Sequence, residues 1–376
     1  MRITIVGGGP VGLLTACLLS HEHNIIILEK RTTSGRTHGL NISNDTIDVV
    51  IKYLVSINKQ EHLCELLNTW RDTPISTIDI EESLSDIATR MGVKIRKGIT
   101  VDNIDNIEDS IIIGADGARS KIRELVFNNE KVDTHQIHYM AQLKYRTPGN
   151  TLPRKLISAM SYSFLNGLSG SDLVVDFESL APPNEEFRKP GTLHIPIPES
   201  VYNVLSKNGR GSYNTAWTLE ELNKINHQQV KKLSRIIKRY NFSLKWRGGW
   251  LEDPQVTVIP LTIYRSYEVV RILDNNKLVM LVGDSASGLI FERGLNKGFH
   301  EAVQCAITLS NITSQTLPIR LAEYSQYCIK LYESEKDIIM SKHNHIISTN
   351  KSTATSGIIL TSGIGLALSS LFAKSL

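Results

Sequence analysis

The 376-residue chain has only four cysteines and no block of lysine or arginine, and each absence limits its function. Cys17, Cys64, Cys305 and Cys328 are far apart, and no two form a C-x-x-C pair, so we expect reduced thiols. The net charge of +4 is small and dispersed, which argues against nucleic acid as a partner. The first residues carry no basic region or cleavage site typical of a secretory signal. Together these features predict a cytoplasmic protein.

Charge is also absent from residues 352–373, an uncharged stretch of 22 residues closed by Lys374. This length would allow a helix to cross a bilayer. Three glycines and many serines and threonines dilute its apolarity, which makes insertion marginal. The sequence therefore favours a packed final helix or a frayed tail over weak membrane association, and residues 351–376 are treated as a separate apolar tail.

The beginning of the chain has the pattern of a strand, a tight turn and a helix. Residues 2–6 form a short β-branched run, and glycines follow in the spacing G-x-G-x-x-G. In this pattern the first glycine permits the turn, the second lets the backbone approach a diphosphate, and the third lets the helix lie close to the strand. The diphosphate is then expected at the N-terminus of the helix, held by Gly7, Gly9, Pro10, Val11 and Gly12.

A second apolar run, residues 25–28, ends in an acidic side chain. Glu29 lies 22 residues after Gly7, where a carboxylate is expected to accept hydrogen bonds from ribose hydroxyls. A solvated strand end is the alternative. The strand, glycines, helix, second strand and acid follow in the order that a dinucleotide site requires, which favours binding.

Two later segments extend this pattern. The apolar residues 111–113 lead into Gly114-Ala115-Asp116-Gly117, with Ser120 and Arg123 following, and the apolar residues 278–282 lead into Gly283-Asp284. With the first motif, these segments resemble the single-component (class A) flavoprotein monooxygenases, whose fold resembles that of p-hydroxybenzoate hydroxylase. A simple junction between a strand and a turn would not require the trailing serine and arginine.

The resemblance implies FAD as the cofactor and NAD(P)H as a transient co-substrate. It places Asp116 near the diphosphate and the nicotinamide path, and Asp284 on the ribityl chain. Residues 294–298 are expected to form a loop that opens a helix at Phe299. The N–H groups there would face the N1–C2=O edge of the flavin, where the reduced flavin is negative. The residues implied at this edge are Gly294, Leu295 and Asn296.

The chain also departs from the family pattern. Ser285-Ala286-Ser287 stands where the family usually has A-A-H, no proline follows before Gly294, and the loop is two residues shorter. Ile78 stands where the family often has an arginine. These departures concern flavin reduction and oxygenation more than FAD binding.

A further resemblance is to the start of the MICAL-type monooxygenases. It is carried by Glu29-Lys30-Arg31 followed by Arg36 and His38, and Gly283-Asp284-Ser285 matches the same branch. Lys30 and Arg36 are accordingly predicted to contact the cofactor, with Arg36 neutralising the diphosphate or reaching the flavin. A solvated loop arginine is the alternative reading.

The pattern changes at about residue 130, where short alternating runs predict an antiparallel sheet. We therefore predict an α/β protein with a discontinuous Rossmann-like FAD-binding domain at residues 1–125 and 256–350. By resemblance this domain is of the second glutathione-reductase type (GR2). An antiparallel-sheet substrate domain is inserted at residues 126–255, and C-terminal helices follow, including an amphipathic helix over residues 321–346. No metal site is predicted, because no His, Cys, Asp and Glu set has ligand spacing.

The resemblance implies an NAD(P)H-driven, FAD-dependent monooxygenase that acts through a flavin C4a-hydroperoxide. Its substrate would be a small apolar or aromatic molecule, with a protein methionine as a lesser possibility. Two alternatives remain open. One is a flavin-dependent NADPH oxidase or reductase, and the other is a non-catalytic FAD- or nucleotide-binding protein that acts through a partner or a membrane tail. No catalytic side chain is named, because the flavin carries the chemistry.

Overall fold

The computed structural model describes residues 1–33, 39–57, 61–73, 75–148, 175–178, 188–212, 215–246, 248–290, 292–310, 312–313 and 315–341. Arg36, His38 and the tail at residues 351–376 lie outside the described residues. The chain forms two units, residues 1–135 with 262–338 and residues 136–261 with 339–376. The domain limits predicted from the sequence, at residues 125/126 and 255/256, differ from these by six to ten residues.

The strands are short in the first part of the chain and long in the middle. In chain order they are β1 (Arg2–Val6), β2 (Asn24–Glu29), β3 (Gly39–Leu40), β4 (Ile75–Ser76), β5 (Lys94–Lys97), β6 (Ile111–Gly114), β7 (Lys131–Pro148), β8 (Val175–Glu178), β9 (Arg188–Ile197), β10 (Trp217–Thr218), β11 (Glu252–Ser266), β12 (Val270–Ile272), β13 (Leu278–Leu281) and β14 (Ser287–Gly288).

The helices follow the strands in an alternating order at the start of the chain. They are α1 (Pro10–Leu19), α2 (Asn44–Ser56), α3 (Glu61–Thr69), α4 (Thr77–Arg90), α5 (Lys121–Phe127), α6 (Glu199–Leu205), α7 (Leu219–Lys224), α8 (Gln228–Trp246), α9 (Glu292–Leu309) and α10 (317–341).

A six-stranded sheet of order β12-β13-β6-β1-β2-β5 forms the centre of the first unit. All neighbours are parallel except β12 and β13. Every residue of β6 and β13 is buried, as expected for continuous apolar strands that helices cover on both faces. This sheet confirms the predicted Rossmann-like α/β fold.

The helices that flank this sheet begin at side-chain caps. Ser43 accepts a hydrogen bond from the Thr46 N–H at the start of α2, and Ser76 accepts one from the Asp79 N–H at the start of α4. Each cap satisfies a backbone donor that has no partner within the helix. Helix α1 instead begins with Gly9 as its N-cap and Pro10 at its first position, without a side-chain cap.

A second sheet has the order β10-β11-β7-β9-β8, and β14 pairs with β11. Strands β7 and β9 are antiparallel over ten residue pairs, from Tyr139 opposite Ile197 to Pro148 opposite Arg188. Leu143, Leu193 and Ile195 are buried in a separate apolar core that includes residues of α8. The predicted antiparallel sheet is therefore confirmed.

Helices α7 and α8 follow the short strand β10, and α8 continues to Trp246. One predicted helix differs in its bounds. The helix predicted over residues 321–346 begins four residues earlier, at 317, and is described as far as residue 341. Helical periodicity locates a buried face well, but it does not locate the residues at which the backbone leaves the helix.

Two negative findings concern the described residues alone. No helix among them has both the length and the apolar character needed to span a bilayer. The same part of the chain contains no group of three or more His, Cys, Asp or Glu side chains placed to hold a metal ion.

Candidate functional site

Three loops meet at one edge of the parallel sheet. They are the first motif (residues 7–12), the second motif (residues 114–117) and the third motif (residues 283–285). Val6 of β1 lies opposite Gly114 of β6, and Leu281 of β13 lies opposite the same glycine. Because parallel strands place their carboxyl ends on one edge, the loops that follow these residues lie side by side, where α/β sheets bind ligands.

Two glycines of the first motif are required by close backbone contacts. A Cβ on Gly7, whose φ is +112°, would stand 2.4 Å from the Ala115 carbonyl oxygen. A Cβ on Gly12 would stand 2.1 Å from the Gly7 carbonyl oxygen. Any side chain at either position would therefore push the first motif away from the second motif or α1 away from β1.

Gly9 differs from these two glycines because space is open beside it. Its φ of −79° and ψ of 177° suit any residue, and the nearest atom to an added Cβ is Glu81 Oε1 at 4.0 Å. The open side of Gly9 faces the N-terminus of α1. A ligand can therefore approach the backbone at this position.

The first turn of α1 offers backbone donors to such a ligand. The first intrahelical bond runs from the Leu13 N–H to the Gly9 carbonyl, at 2.9 Å. The N–H groups of Gly9, Val11 and Gly12 precede this bond, whereas Pro10 has no N–H. These donors and the positive end of the helix dipole suit a diphosphate.

The side chain of Val11 packs against neighbouring elements, which leaves its backbone N–H for a ligand. A Cβ on Gly283 would lie 3.2 Å from Val11 Cγ1, and a Cβ on Gly298 would lie 2.5 Å from Val11 Cγ2. The isopropyl group thus fills the contact between α1, α9 and the third motif.

Glu29 lies against the first motif at the end of β2. Its Oε2 accepts from the Gly8 N–H at 2.6 Å, and its Oε1 accepts from the Arg31 N–H at 2.7 Å and Arg31 Nε at 3.1 Å. Burial raises the pKa of Glu29, but the hydrogen bonds from Arg31 and Gly8 outweigh burial and hold that pKa below its ordinary value. The carboxylate is therefore ionised where a ribose is expected.

Arg31 also contacts a second carboxylate, which the sequence reasoning missed. Its guanidinium lies 3.2 Å from Glu81 Oε1, and the Glu81 side chain on α4 is 6% exposed. Glu81 Oε1 is the atom nearest to the open side of Gly9. Arg31 thus bridges two carboxylates beside the position predicted for a diphosphate. Only its place directly after Glu29-Lys30 could have indicated this role, and Lys30 itself is exposed.

The carboxylate of Asp116 in the second motif is used by the protein itself. It accepts from the Ser120 hydroxyl at 2.5 Å, from the Lys121 N–H at 2.6 Å and from the Ile122 N–H at 3.2 Å. Ser120 in turn accepts from the Arg123 N–H at the start of α5. The trailing serine and arginine thus have local roles in this turn, while the predicted contact of Asp116 with a cofactor stays a prediction.

Arg123 joins the second motif to the third. Its side chain is almost fully buried, with 1% exposed. The guanidinium donates to the Ala118 carbonyl at 2.8 Å, to the Ser285 carbonyl at 2.7 Å and to Asn129 Oδ1 at 3.1 Å. The Tyr264 hydroxyl donates to the neighbouring carbonyl of Asp284, at 2.7 Å.

Beneath the third motif lies a fully buried ion pair. Lys297 Nζ donates to Glu301 Oε1 at 2.7 Å, one helical turn along α9, and both side chains have no exposed area. Glu301 Oε2 accepts from the Gly283 N–H at 2.7 Å. Burial raises the pKa of Glu301, and Lys297 opposes that rise. The pair fixes Gly283, whose φ is +66°.

The segment expected to be a loop before Phe299 is helical. Helix α9 begins at Glu292, so Gly294 and Leu295 lie in its first turn and Asn296 at the start of the second. The Asp284 carboxylate lies against this turn, with its Oδ1 3.1 Å from the position of a Cβ on Gly294. The backbone N–H groups without a partner within α9 therefore belong to residues 292–294.

Asn296 holds a neighbouring segment. Its side-chain Oδ1 accepts from the Ser43 N–H at 2.8 Å, and its Nδ2 donates to the Asn41 carbonyl at 3.1 Å. These bonds attach the residues after β3 to α9. The predicted contact of the Asn296 backbone N–H with a cofactor stays a prediction.

Comparisons with known proteins agree with the fold of the first unit. Residues 5–70 match the NAD(P)-binding Rossmann-like domain family. The chain is also 37% identical over 71 residues, 19% of its own length, to the uncharacterized protein in the nifH2 3′ region of Methanothermococcus thermolithotrophicus. The matched part is 69% of that protein. The fold and the family match define an α/β protein with an NAD(P)-binding Rossmann-like domain. The chain belongs to the same family as this relative.

Solved structures show the same architecture over nearly the whole chain. The flavin-dependent brominase Bmp2 is 13% identical, with a TM-score of 0.59 over 93% of this chain and 89% of that chain. The tetracycline destructase Tet(51) is 14% identical, with a TM-score of 0.54 over 94% and 97%. The OxyS anhydrotetracycline hydroxylase of Streptomyces rimosus is 15% identical, with a TM-score of 0.52 over 94% and 75%. At this identity the likeness establishes the fold.

We predict that Arg123→Met lowers the free energy of unfolding by about 3 kcal/mol, because several buried carbonyls lose a charged donor. Urea unfolding followed by tryptophan fluorescence measures this change. Arg90→Met is the matched control, since Arg90 pairs with Asp86 at an exposed position on α4 and should leave the midpoint almost unchanged. Equal shifts in the two variants would contradict the bridging role of Arg123.

Glu29 should give stability a defined pH dependence. Its pKa in the folded chain lies below the value of 4.5 expected when unfolded, so its stabilising contribution is complete above that pH. The contribution is lost as the pH falls from 4.5 through the lower folded pKa. We expect the wild type to exceed Glu29→Gln in urea midpoint at pH 7 and the difference to shrink below pH 4.5. A difference that stays constant down to pH 3 would refute this assignment.

Proposed function

We propose that the chain binds FAD and acts as an NAD(P)H-driven monooxygenase on a small apolar or aromatic molecule. The observation that carries the proposal is the meeting of three motif loops at one sheet edge. A diphosphate alone would need only the first motif. Two further loops beside it, the last leading to the N-terminus of α9, provide the longer binding surface that FAD requires.

The described residues fit this cofactor. The open side of Gly9 and the N–H groups that begin α1 would hold the diphosphate. The ionised Glu29 would accept from the adenosine ribose. Asp284 and the first turn of α9 would hold the ribityl chain and the flavin edge. All of these groups lie at the same edge of the sheet.

FAD, when bound, would supply hydride acceptance and oxygen activation. The contribution of this chain is positioning and electrostatics. Lys297 and Glu301 fix the backbone of Gly283 and thereby the carboxylate that follows it. The N-terminal turn of α9 offers partial positive charge to an anionic flavin edge. No side chain is proposed as a general acid or base, because none of the described residues at this edge is placed for that role.

The names of the similar structures support small-molecule oxidation. They include a flavin-dependent brominase and an anhydrotetracycline hydroxylase, two proteins that oxidise or halogenate organic molecules by their printed names. We infer the same general class of reaction for this chain. The proposal names the class of substrate and a nicotinamide co-substrate, without choosing between NADH and NADPH. We expect no metal requirement and no nucleic-acid partner.

The cofactor site can be tested at Gly9. We predict that Gly9→Ala folds with an unchanged melting temperature, because its backbone angles suit alanine and 4.0 Å of space surrounds the added methyl. The methyl occupies the approach to the α1 backbone, so affinity for FAD should fall at least about tenfold. Thermal melts with and without FAD measure both quantities in one experiment, since ligand binding raises the melting temperature. FAD stabilisation equal to that of the wild type would contradict the assigned site.

Reduction and oxygenation are tested by absorbance spectroscopy of the purified chain. We expect flavin bands between 300 and 550 nm that bleach when NADPH is added without oxygen. Candidate aromatic substrates should then accelerate NADPH use in air and be hydroxylated. Rapid NADPH use with peroxide release, whatever the substrate, would favour the oxidase or reductase. Absence of flavin bands even after FAD is added would favour a binding protein.

A further inference from the structure

Helix α8 of the second unit has a cationic outer face. Its sequence contains six basic residues and no acidic one, which exceeds the net charge of +4 of the whole chain. The basic residues are Lys231, Lys232, Arg235, Lys238, Arg239 and Lys245. All of them except Lys232 are exposed. The rest of the chain is therefore net acidic, and this helix concentrates the excess of positive charge.

Burial of the opposite face decides which side of α8 points outward. Leu233, Ile237 and Leu244 are buried in the apolar core of the second unit. The exposed basic residues are separated by three, four or seven positions, and such spacings bring side chains to one face of a helix. The row from residue 231 to residue 245 is about 21 Å long. Charges that are dispersed along the sequence thus form one continuous surface.

The exposed charges of α8 differ from those of the preceding helix. On α7, Lys224 pairs with Glu220 at 2.7 Å. Within the described part of the chain, Arg235, Lys238 and Lys245 pair with no carboxylate. Neighbouring like charges on a helix repel one another, and an anionic partner would relieve that repulsion along the whole row. The face therefore suits a partner with many negative charges.

Two exposed aromatic side chains accompany these cations. Phe242 follows Lys238 by four residues and precedes Lys245 by three, and its exposed fraction is 63%. Trp250, just beyond the helix, is 45% exposed, and its indole N–H donates to Glu252 Oε1 at 2.9 Å. Aromatic rings beside lysine and arginine are typical of surfaces that lie at the headgroup level of a bilayer.

We propose that the outer face of α8 binds the surface of a membrane that contains anionic lipids. Its basic side chains contact the lipid phosphates, and the ring of Phe242 enters the interface between headgroups and acyl chains. A nucleic-acid duplex fits less well, because its phosphates would cover the cations but offer no apolar surface to that ring. The surface lies within the second unit, and the inference does not depend on the proposed redox function.

Vesicle sedimentation with the full-length protein tests this proposal. We expect binding to phosphatidylcholine vesicles that contain about 30% phosphatidylserine and little binding to phosphatidylcholine alone. Raising the salt concentration from about 0.1 M to about 0.5 M should weaken the binding, because salt screens the attraction between exposed charges. Binding that is absent, or that is equal for the two kinds of vesicle, would overturn the proposal.

Removal of charge from α8 identifies the surface involved. Lys238→Gln/Lys245→Gln should weaken binding to the anionic vesicles at least about tenfold, because each lysine near an anionic surface contributes severalfold to affinity. Lys52→Gln/Lys207→Gln is the matched control, since it removes the same net charge from exposed positions on other elements. Residues 351–376 are present in both variants and cannot cause a difference between them. Equal losses in the two variants, or no loss in the first, would overturn the proposal.

Phe242→Ala separates insertion of the ring from attraction between charges. We expect a loss of about fivefold in affinity that persists at the higher salt concentration. Tyr267→Ala, at a position that is 59% exposed in the first unit, should have no effect. Melting temperatures check that every variant folds. An unchanged affinity in Phe242→Ala would overturn the membrane assignment, as would a DNA duplex that binds more tightly than the vesicles and is released by the α8 lysine variant.

Discussion

The architecture of the candidate site depends on one buried guanidinium. Arg123 donates to carbonyls on both sides of the gap between the second and third motifs, at Ala118 and Ser285. Parallel pairing of β6 and β13 brings these loops to the same edge, but it does not fix the conformations beyond the strands. Arg123 does so with a rigid, planar set of donors that a lysine could not reproduce. The second and third motifs are therefore held together by the protein's own hydrogen bonds.

Basic side chains offset part of the acidic charge around this edge. Arg31 lies between Glu29 and Glu81, and Lys297 lies beside Glu301. An unpaired buried carboxylate next to a diphosphate would oppose binding by like-charge repulsion, and an unpaired buried lysine would be costly by itself. The N-terminal ends of α1 and α9 add partial positive charge, which suits anionic groups.

The sequence predicted the turn after β1 and the helix that follows it. The glycine spacing alone revealed both elements, and Gly12 does approach the Gly7 carbonyl across this turn. The contact of Gly7 with Ala115, by contrast, joins distant parts of the chain.

Two local roles were not visible in the sequence. The Asp116 carboxylate caps α5, while its predicted contact with a cofactor stays a prediction. Residues 294–298 were expected by resemblance to form a loop, yet α9 begins at Glu292, and the buried Lys297–Glu301 pair lies within it.

By itself the sequence determined the alternation of strand and helix, the order of the three motifs and the change to antiparallel strands after residue 130. These follow from periodicity and from local backbone requirements, which act over a few residues. Only the tertiary structure decided that Glu81 lies beside Gly9 and that Arg123 bridges two motifs. Such contacts join residues far apart in the chain. No local pattern encodes them, because each depends on how separate elements pack against one another.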